Sequence, residues 1–356
     1  MNRITQMIIF VIFFLIIYTI LNSYIILRFG GLFRISPNIL YALIAIAVIS
    51  LPLSMFVENR LPNIITKAWY TVSTLWMGVG LFILTCLVIY EILSRFVSID
   101  PFRAGIAILA IVALVSFYSV FNAFSVEVRE MEVPVEGLKK EVSIVQLSDL
   151  HVGTIRNSGF LEKISRRVND IDPDIVMITG DLVDGTAPLK PEMFKGFDDL
   201  RAPVYFVTGN HEMYEGMDKV CAFFNDTKIQ VLRNEVVGWD GIQVVGVDFS
   251  EDRKHLKRVL SGLKINQSKP AVLMYHPPFS MEDAKNAGID LQLSGHTHNG
   301  QIYPFNFFVW LALRKTTGLY DYGDMKLYVS PGTGTWGPYM RLGSRNEITV
   351  IRLVNA

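Results

Sequence analysis

The pattern of apolar and charged positions divides the chain in two. Residues 4–27, 35–57, 68–90 and 104–126 form four intervals of 23 or 24 residues without a charged side chain. About 20 residues of helix cross a bilayer core, and backbone amides in lipid must pair within their own segment. The intervals therefore predict four transmembrane helices. Pro52 and Gly78-Val79-Gly80 interrupt the second and third, which membrane helices tolerate. The first is too long for a cleaved signal peptide, lacks a small-residue cleavage site and is followed by three more spans.

Beyond residue 126 the pattern changes to short apolar runs. Residues 142–147, 175–178, 204–207, 272–275 and 291–293 read as strands. Residues 160–171 carry Leu161, Ile164, Val168 and Ile171 at helical spacing. Further helices are expected at 191–200, 217–225, 253–263 and 282–287. Runs at 229–232, 236–239 and 242–247 read as a meander, and strands at 326–330 and 347–353 close the domain. Strand–helix alternation with late antiparallel pairs predicts a layered α/β domain, sheets inside and helices outside. The expected division is a four-helix anchor over 1–126 and a soluble domain over 127–356.

Composition sharpens this picture. Hydrophobic residues make up 51% of the chain and charged ones 19%, a low charge for a soluble protein. Only ten charged side chains fall in residues 1–125. The totals of 33 basic and 33 acidic residues give no field for nucleic acid. Cys86 and Cys221 are the only cysteines, too few for a disulfide framework or a thiolate zinc site. No span carries an ionisable residue at mid-depth, which argues against a transporter or channel with a regulatory domain. An anchor, or a roof over a lipid substrate, fits better. Four spans put both termini on one side. Arg3, Arg60, Lys67 and Arg129 lie there, against Arg28, Arg34, Arg95 and Arg103 opposite. Lys139 and Lys140 tilt the soluble domain towards the cytoplasm.

The candidate chemistry lies at strand ends. Five of the six histidines, His151, His211, His276, His296 and His298, follow predicted strands, and Asp149, Asp181 and Asn210 hold matching positions. His255, among Asp252, Arg253 and Lys254, reads as a surface residue. Asp149 and His151, two apart, face the same way on an extended backbone. The stretch Thr208-Gly209-Asn210-His211-Glu212 reads as a loop, with Gly209 permitting a sharp turn. Ligands of layered α/β folds bind beyond the carboxyl ends of strands, so these groups can converge. Asp, His and Asn donors suit Mn, Fe or Zn. There are enough for two ions sharing a carboxylate, roughly 3.5–4 Å apart. Such a pair lowers the pKa of a shared water and clamps an in-line displacement, which is hydrolysis at phosphorus.

Asp149-Leu150-His151, Gly180-Asp181, Gly209-Asn210-His211-Glu212, His276 and Gly295-His296-Thr297-His298 resemble, in order, the five blocks of the calcineurin-like metallophosphoesterase superfamily. The resemblance runs over about 142–353, and the anchor and Gly300-Gln301 are similar to its transmembrane subgroup. It implies an α/β/β/α metallophosphoesterase sandwich. It further implies that Asp149, His151, Asp181 and His298 hold one divalent metal and Asn210, His276 and His296 the second, with Asp181 bridging. His211 is then the non-ligand acid. Asn299 replaces the subgroup's usual second glycine, which bears on loop shape. Some relatives there hydrolyse the pyrophosphate of UDP-2,3-diacylglucosamine.

The expected protein is a multi-pass enzyme of the cell membrane and of lipid metabolism. It cleaves a phosphoester or pyrophosphate bond, with manganese among the candidate metals, in a lipid-linked or nucleotide-lipid substrate. No nucleic acid and no obligate protein partner are expected. The alternative is a catalytically weak membrane receptor or regulatory module using the same fold for binding; the filled ligand positions argue against it. Residues 305–313, aromatic and followed by Arg314-Lys315, read either as an interfacial segment or as a core element. Glu212 reads either as a group orienting His211 or the Asn210 loop, or as a solvated loop charge. Asp184 reads as a supporting or capping residue.

Overall fold

The computed structural model describes residues 3–225 and 227–356. It groups into two compact units, Met1–Phe121 with Gly337–Met340, and Asn122–Trp336 with Arg341–Ala356.

Helices α1 (Arg3–Leu32), α2 (Pro37–Arg60), α3 (Ile64–Leu93) and α4 (Pro101–Phe124) come first. All four are long and apolar enough to cross a membrane. The shortest have 24 residues, roughly 36 Å against a hydrocarbon core of ~30 Å. All four take in charges flanking the charge-free intervals: α1 Arg28, α2 Glu58 and Arg60, α3 Lys67 and Glu91, and α4 Arg103. At its other end α4 stops short of residue 126, because Val126 opens a strand paired with Asn346. Asn63 starts α3 with a reciprocal capping box, its side chain accepting from Ile65 and Thr66 N–H. Trp76 Nε1 donates to Asn22 Oδ1 at 2.7 Å, and Trp69 Nε1 to Ser50 Oγ at 2.7 Å. Such bonds tie helices together where lipid is as apolar as leucine.

The second unit contains β1 (Val126–Val135), β2 (Val142–Leu147), α5 (Ser158–Ile171), β3 (Ile175–Thr179) and β4 (Val204–Val207). Then come α6 (Asn210–Glu215), α7 (Met217–Cys221), β5 (Ile229–Val231), β6 (Glu235–Trp239) and β7 (Ile242–Gly246). The chain continues through α8 (His255–Gly262), β8 (Ala271–Met274), α9 (Met281–Asn286) and β9 (Leu291–Ser294). It ends with α10 (Phe305–Leu313), β10 (Gly318–Asp321), β11 (Lys326–Val329) and β12 (Asn346–Asn355). Two six-stranded sheets run β1-β12-β2-β3-β4-β5 and β10-β11-β9-β8-β7-β6.

Alternation along the strands builds four layers. Ile144, Ile175, Met177 and Val207 of the first sheet meet Val244, Val272, Met274 and Leu293 of the second in one inner core. Val145, Val176, Ile178 and Phe206 turn outward onto Leu161, Ile164 and Val168 of α5. Val245 and Leu273 turn outward onto Leu256 and Leu260 of α8. Fully burying each such side chain contributes about 1.5–3 kcal/mol.

Three expectations change. The runs at 229–247 are no meander: β5 pairs in parallel with β4, while β6 and β7 form a hairpin in the other sheet. Their similar apolar patterns carry no mark of the crossing. The helix expected at 191–200 is a shorter 3-10 helix over Pro191–Phe197. Residues 305–313 are not a core element. Phe305, Phe307, Phe308, Trp310 and Leu311 of α10 are all exposed, and Asn306 is its one buried residue.

Candidate metal centre

Parallel strands β2, β3 and β4 end side by side, as do β8 and β9. The segments just beyond these ends carry every predicted site residue, Asn210 and His211 on the first turn of α6. The structure brings them into two adjoining clusters. In the first, His151 Nε2 lies 3.0 Å from His298 Nε2, and Asp149 Oδ1 lies 3.4 Å from the latter. In the second, Asp181, His276 and His296 come together, with His296 Nδ1 2.9 Å from Asn210 Oδ1. Asp181 Oδ2 faces both, 3.9 Å from His151 Nε2 and 3.3 Å from His276 Nε2. His211 stands edge-on to His151, with ring centroids 4.6 Å apart. His255 opens α8, on the expected helix, but is half-buried and not a surface residue.

The local backbone is unusual. Asp149, His151, Asp181, His296 and His298 have φ of 53°, 49°, 51°, 72° and 49°. Each left-handed residue of this kind costs roughly 1–2 kcal/mol, and such positions concentrate at functional sites. The pair Asp149 and His151 therefore does not share a face through extended geometry. Asn299, at φ 49°, suits the position because asparagine tolerates this region. The segment opened by Asn210 is helical from its first residue and is not a loop. Gly209, at φ −105°, needs no turn. A Cβ there would sit 2.2 Å from Asp181 Oδ1, so glycine is demanded by close approach. The same holds at Gly295, where a Cβ would meet Asp149 Oδ2 at 2.2 Å.

Burial sets the electrostatics. It pushes the imidazoles of His151 and His298 well below their usual range and His296 down to about 4. Those rings are neutral, the form in which imidazole binds metal. Burial also lowers His276, but the Asp181 carboxylate beside it outweighs this and holds it near 9. Burial raises Asp149 to about 6 and also raises Asp184.

The donor set fits a metal. The Thr179 carbonyl accepts from His276 Nδ1 at 2.7 Å, while Nε2 is buried without a hydrogen-bond partner and faces Asp181. A ring fixed through one nitrogen and open at the other is how ligating histidines are held. Two neutral ring nitrogens 3.0 Å apart beside carboxylates are a further sign of a cation's place, and clustered Asp and His donors without thiolate suit a divalent ion.

Two supporting residues come out of the structure. Glu212 is fully buried and accepts from the N–H groups of Asp181, Val183 and Gly209 at 3.0, 3.0 and 2.6 Å. It is no solvated charge; it stitches the Asp181 loop to the start of α6. Arg341 escaped the sequence reading altogether, since no periodicity marks it. It is fully buried and donates to the carbonyls of His298, Pro331 and Gly334 at 2.8, 2.8 and 2.6 Å, and to Asn346 Oδ1 at 2.9 Å. Gly334 N–H in turn donates to the Asp149 carbonyl at 2.9 Å. Burial, then the Arg156 charge, lowers the Arg341 guanidinium to about 9. Asp184 supports His211, its carbonyl oxygen accepting 3.0 Å from Nδ1.

Comparison with known proteins agrees with this geometry. Residues 142–300 match the family model of calcineurin-like phosphoesterases, a family that uses divalent metals. The chain is 36% identical over 242 residues to an uncharacterized metallophosphoesterase of Helicobacter pylori, covering 64% of each. It is 34% identical over 253 residues to a Bos taurus transmembrane protein with metallophosphoesterase domain, covering 64% of this chain and 56% of that one. Against a metallophosphoesterase of Aquifex aeolicus it is 31% identical over 242 residues, covering 65% and 92%. The match spans under two thirds of the Helicobacter and Bos relatives. The match to the family model and to the Aquifex relative, covered over 92% of its length, places this chain in the calcineurin-like phosphoesterase family, in keeping with its two-sheet α/β domain and clustered metal donors.

Proposed function

We propose that the chain is a membrane-anchored phosphohydrolase of the phosphodiesterase or pyrophosphatase type, working with two divalent ions. Asp149, His151, Asp181 and His298 hold one ion; Asn210, His276 and His296, with Asp181 again, hold the other. The observation that carries this reading is Asp181, one buried carboxylate facing imidazoles of both clusters at 3.3 and 3.9 Å. Bound divalent ions supply charge that lowers the pKa of water and neutralises phosphoryl oxygens.

The chain's own groups do the rest. His211 Nδ1 donates to the Asp184 carbonyl, which fixes the ring and leaves Nε2 to protonate the departing oxygen. Glu212 and Arg341 hold the loops that carry Asp181 and His298. Residues 1–126 are the anchor, a multi-pass bundle, and 127–356 the catalytic domain. That domain lies on the side of the amino terminus, which Lys139 and Lys140 tilt to the cytoplasm. The substrate is lipid-linked. Membrane-length helices and the exposed aromatic α10 support this, since aromatic residues followed by Arg314 and Lys315 suit a bilayer interface.

The test is turnover of bis-p-nitrophenyl phosphate by the full chain with Mn²⁺. The expected result is metal-dependent turnover, lost in Asn210→Ala. Mn²⁺ binding without turnover of any ester supports the binding-only use of the fold instead. A lipid-linked diester and a soluble one, compared in Phe307→Asp/Trp310→Asp, test the substrate. Selective loss of the lipid ester is expected; equal loss contradicts the lipid assignment.

A further inference from the structure

Aromatic rings flank the two clusters separately. Beside the first, Tyr214 and Trp336 have ring centroids 5.8 and 6.3 Å from His211, and both rings are exposed. Beside the second, half-buried Phe249 and Phe279 stand 6.3 and 6.5 Å from His296, with Arg253 5.7 Å over the Phe279 ring.

The Trp336 ring is presented, not loose. Buried Gln301 clasps its backbone from both sides: Nε2 donates to the Trp336 carbonyl at 2.9 Å, and Trp336 N–H donates to Oε1 at 3.0 Å. The backbone is pinned while 52% of the residue stays exposed. This gives Gln301, singled out in the sequence only as part of a motif, a positioning role.

Aromatic faces give a phosphate nothing, because phosphate needs charge and hydrogen-bond donors. They bind flat or apolar organic groups. We propose that the two aromatic pairs are subsites for the two organic substituents of a phosphate. The Tyr214–Trp336 pair takes the group that departs beside His211, and the Phe249–Phe279 pair takes the group that stays. In the reaction water supplies the incoming oxygen, and the P–O bond to the departing group breaks. That oxygen ends protonated, giving an alcohol and a monoester. The inference rests on the hydrolase reading and deepens it: the substrate is a phosphate substituted on both sides, not a monoester.

The experiment compares kcat and KM of the Mn²⁺-loaded full chain in detergent for three probes: p-nitrophenyl phosphate, methyl p-nitrophenyl phosphate and bis-p-nitrophenyl phosphate. The bis ester is expected to be the best substrate. Trp336→Ala raises KM for both diesters together by about tenfold, and Trp336→Phe recovers most of the loss. Phe279→Ala instead shrinks the advantage of the bis ester over the methyl ester by about tenfold. Mn²⁺ titration of each variant, read by protein fluorescence, separates lost substrate contact from a disturbed metal centre. A monoester preference, or variants that shift both diesters alike through weakened Mn²⁺ binding, overturns the inference while the hydrolase reading stands. No turnover of any probe by the wild type overturns both.

Discussion

Strand β3 and the loop that follows it directly differ in kind. Ile175, Val176, Met177 and Ile178 are fully buried and apolar, packing alternately on the inner and outer cores. Two residues past the strand, Asp181 buries a carboxylate at a left-handed φ of 51°. The same contrast repeats beyond β2 at Asp149 and beyond β9 at His296 and His298. Strand bodies contribute stability; strand-end loops consume it, through strained backbone and buried charge. The difference points to where function sits, because strained backbone and buried charge gathered in one place mark a candidate ligand site.

Substitutions on the two sides of this boundary should differ in whether they disturb metal binding. The largest effect is expected at Asp181→Asn, which removes the carboxylate facing both clusters. Turnover with Mn²⁺ should fall roughly 10³-fold or more, read as kcat/KM, without a comparable loss of thermal stability. Next comes Arg341→Met. It strips donors from the carbonyls of His298, Pro331 and Gly334, which should cost about 3 kcal/mol in urea unfolding and weaken Mn²⁺ binding as well. Glu212→Gln comes third. The amide offers one oxygen where the carboxylate serves three backbone N–H groups with two, so about 2 kcal/mol should be lost, with a weaker Mn²⁺ midpoint. The smallest effect is expected in a strand body. Ile351→Val on β12, fully buried in the inner core, should cost about 1 kcal/mol and leave the Mn²⁺ midpoint where it was. A metal defect in Ile351→Val, or none in Glu212→Gln, would break the comparison.

The same boundary governs what the sequence revealed. Strand bodies announce themselves, since alternate burial needs β-branched and apolar residues, and β2 begins and ends at the residues the pattern predicts. The candidate site residues stand out in the sequence because histidine and aspartate are conspicuous just after such runs, and the structure brings them together. Their supports were not. Glu212 looks the same in sequence whether solvated or sealed among three N–H groups. Arg341 sits between glycines and prolines with no period to place it. The left-handed backbone at five site residues has no local signature, as aspartate and histidine occur in loops of every shape. The helix from Asn210 was hidden because Gly209 reads as a turn, although its role is to let Asp181 come close. The apolar α10 left two readings open, and its exposed rings exclude the core one.

The central claim is that Asp181 joins two metal positions at these strand ends. Metal analysis of the purified full chain, equilibrated with Mn²⁺ and freed of excess ion, tests it most directly. The account predicts two ions per chain in the wild type and fewer in Asp181→Asn. One ion or none in the wild type, or two retained in Asp181→Asn, would contradict it.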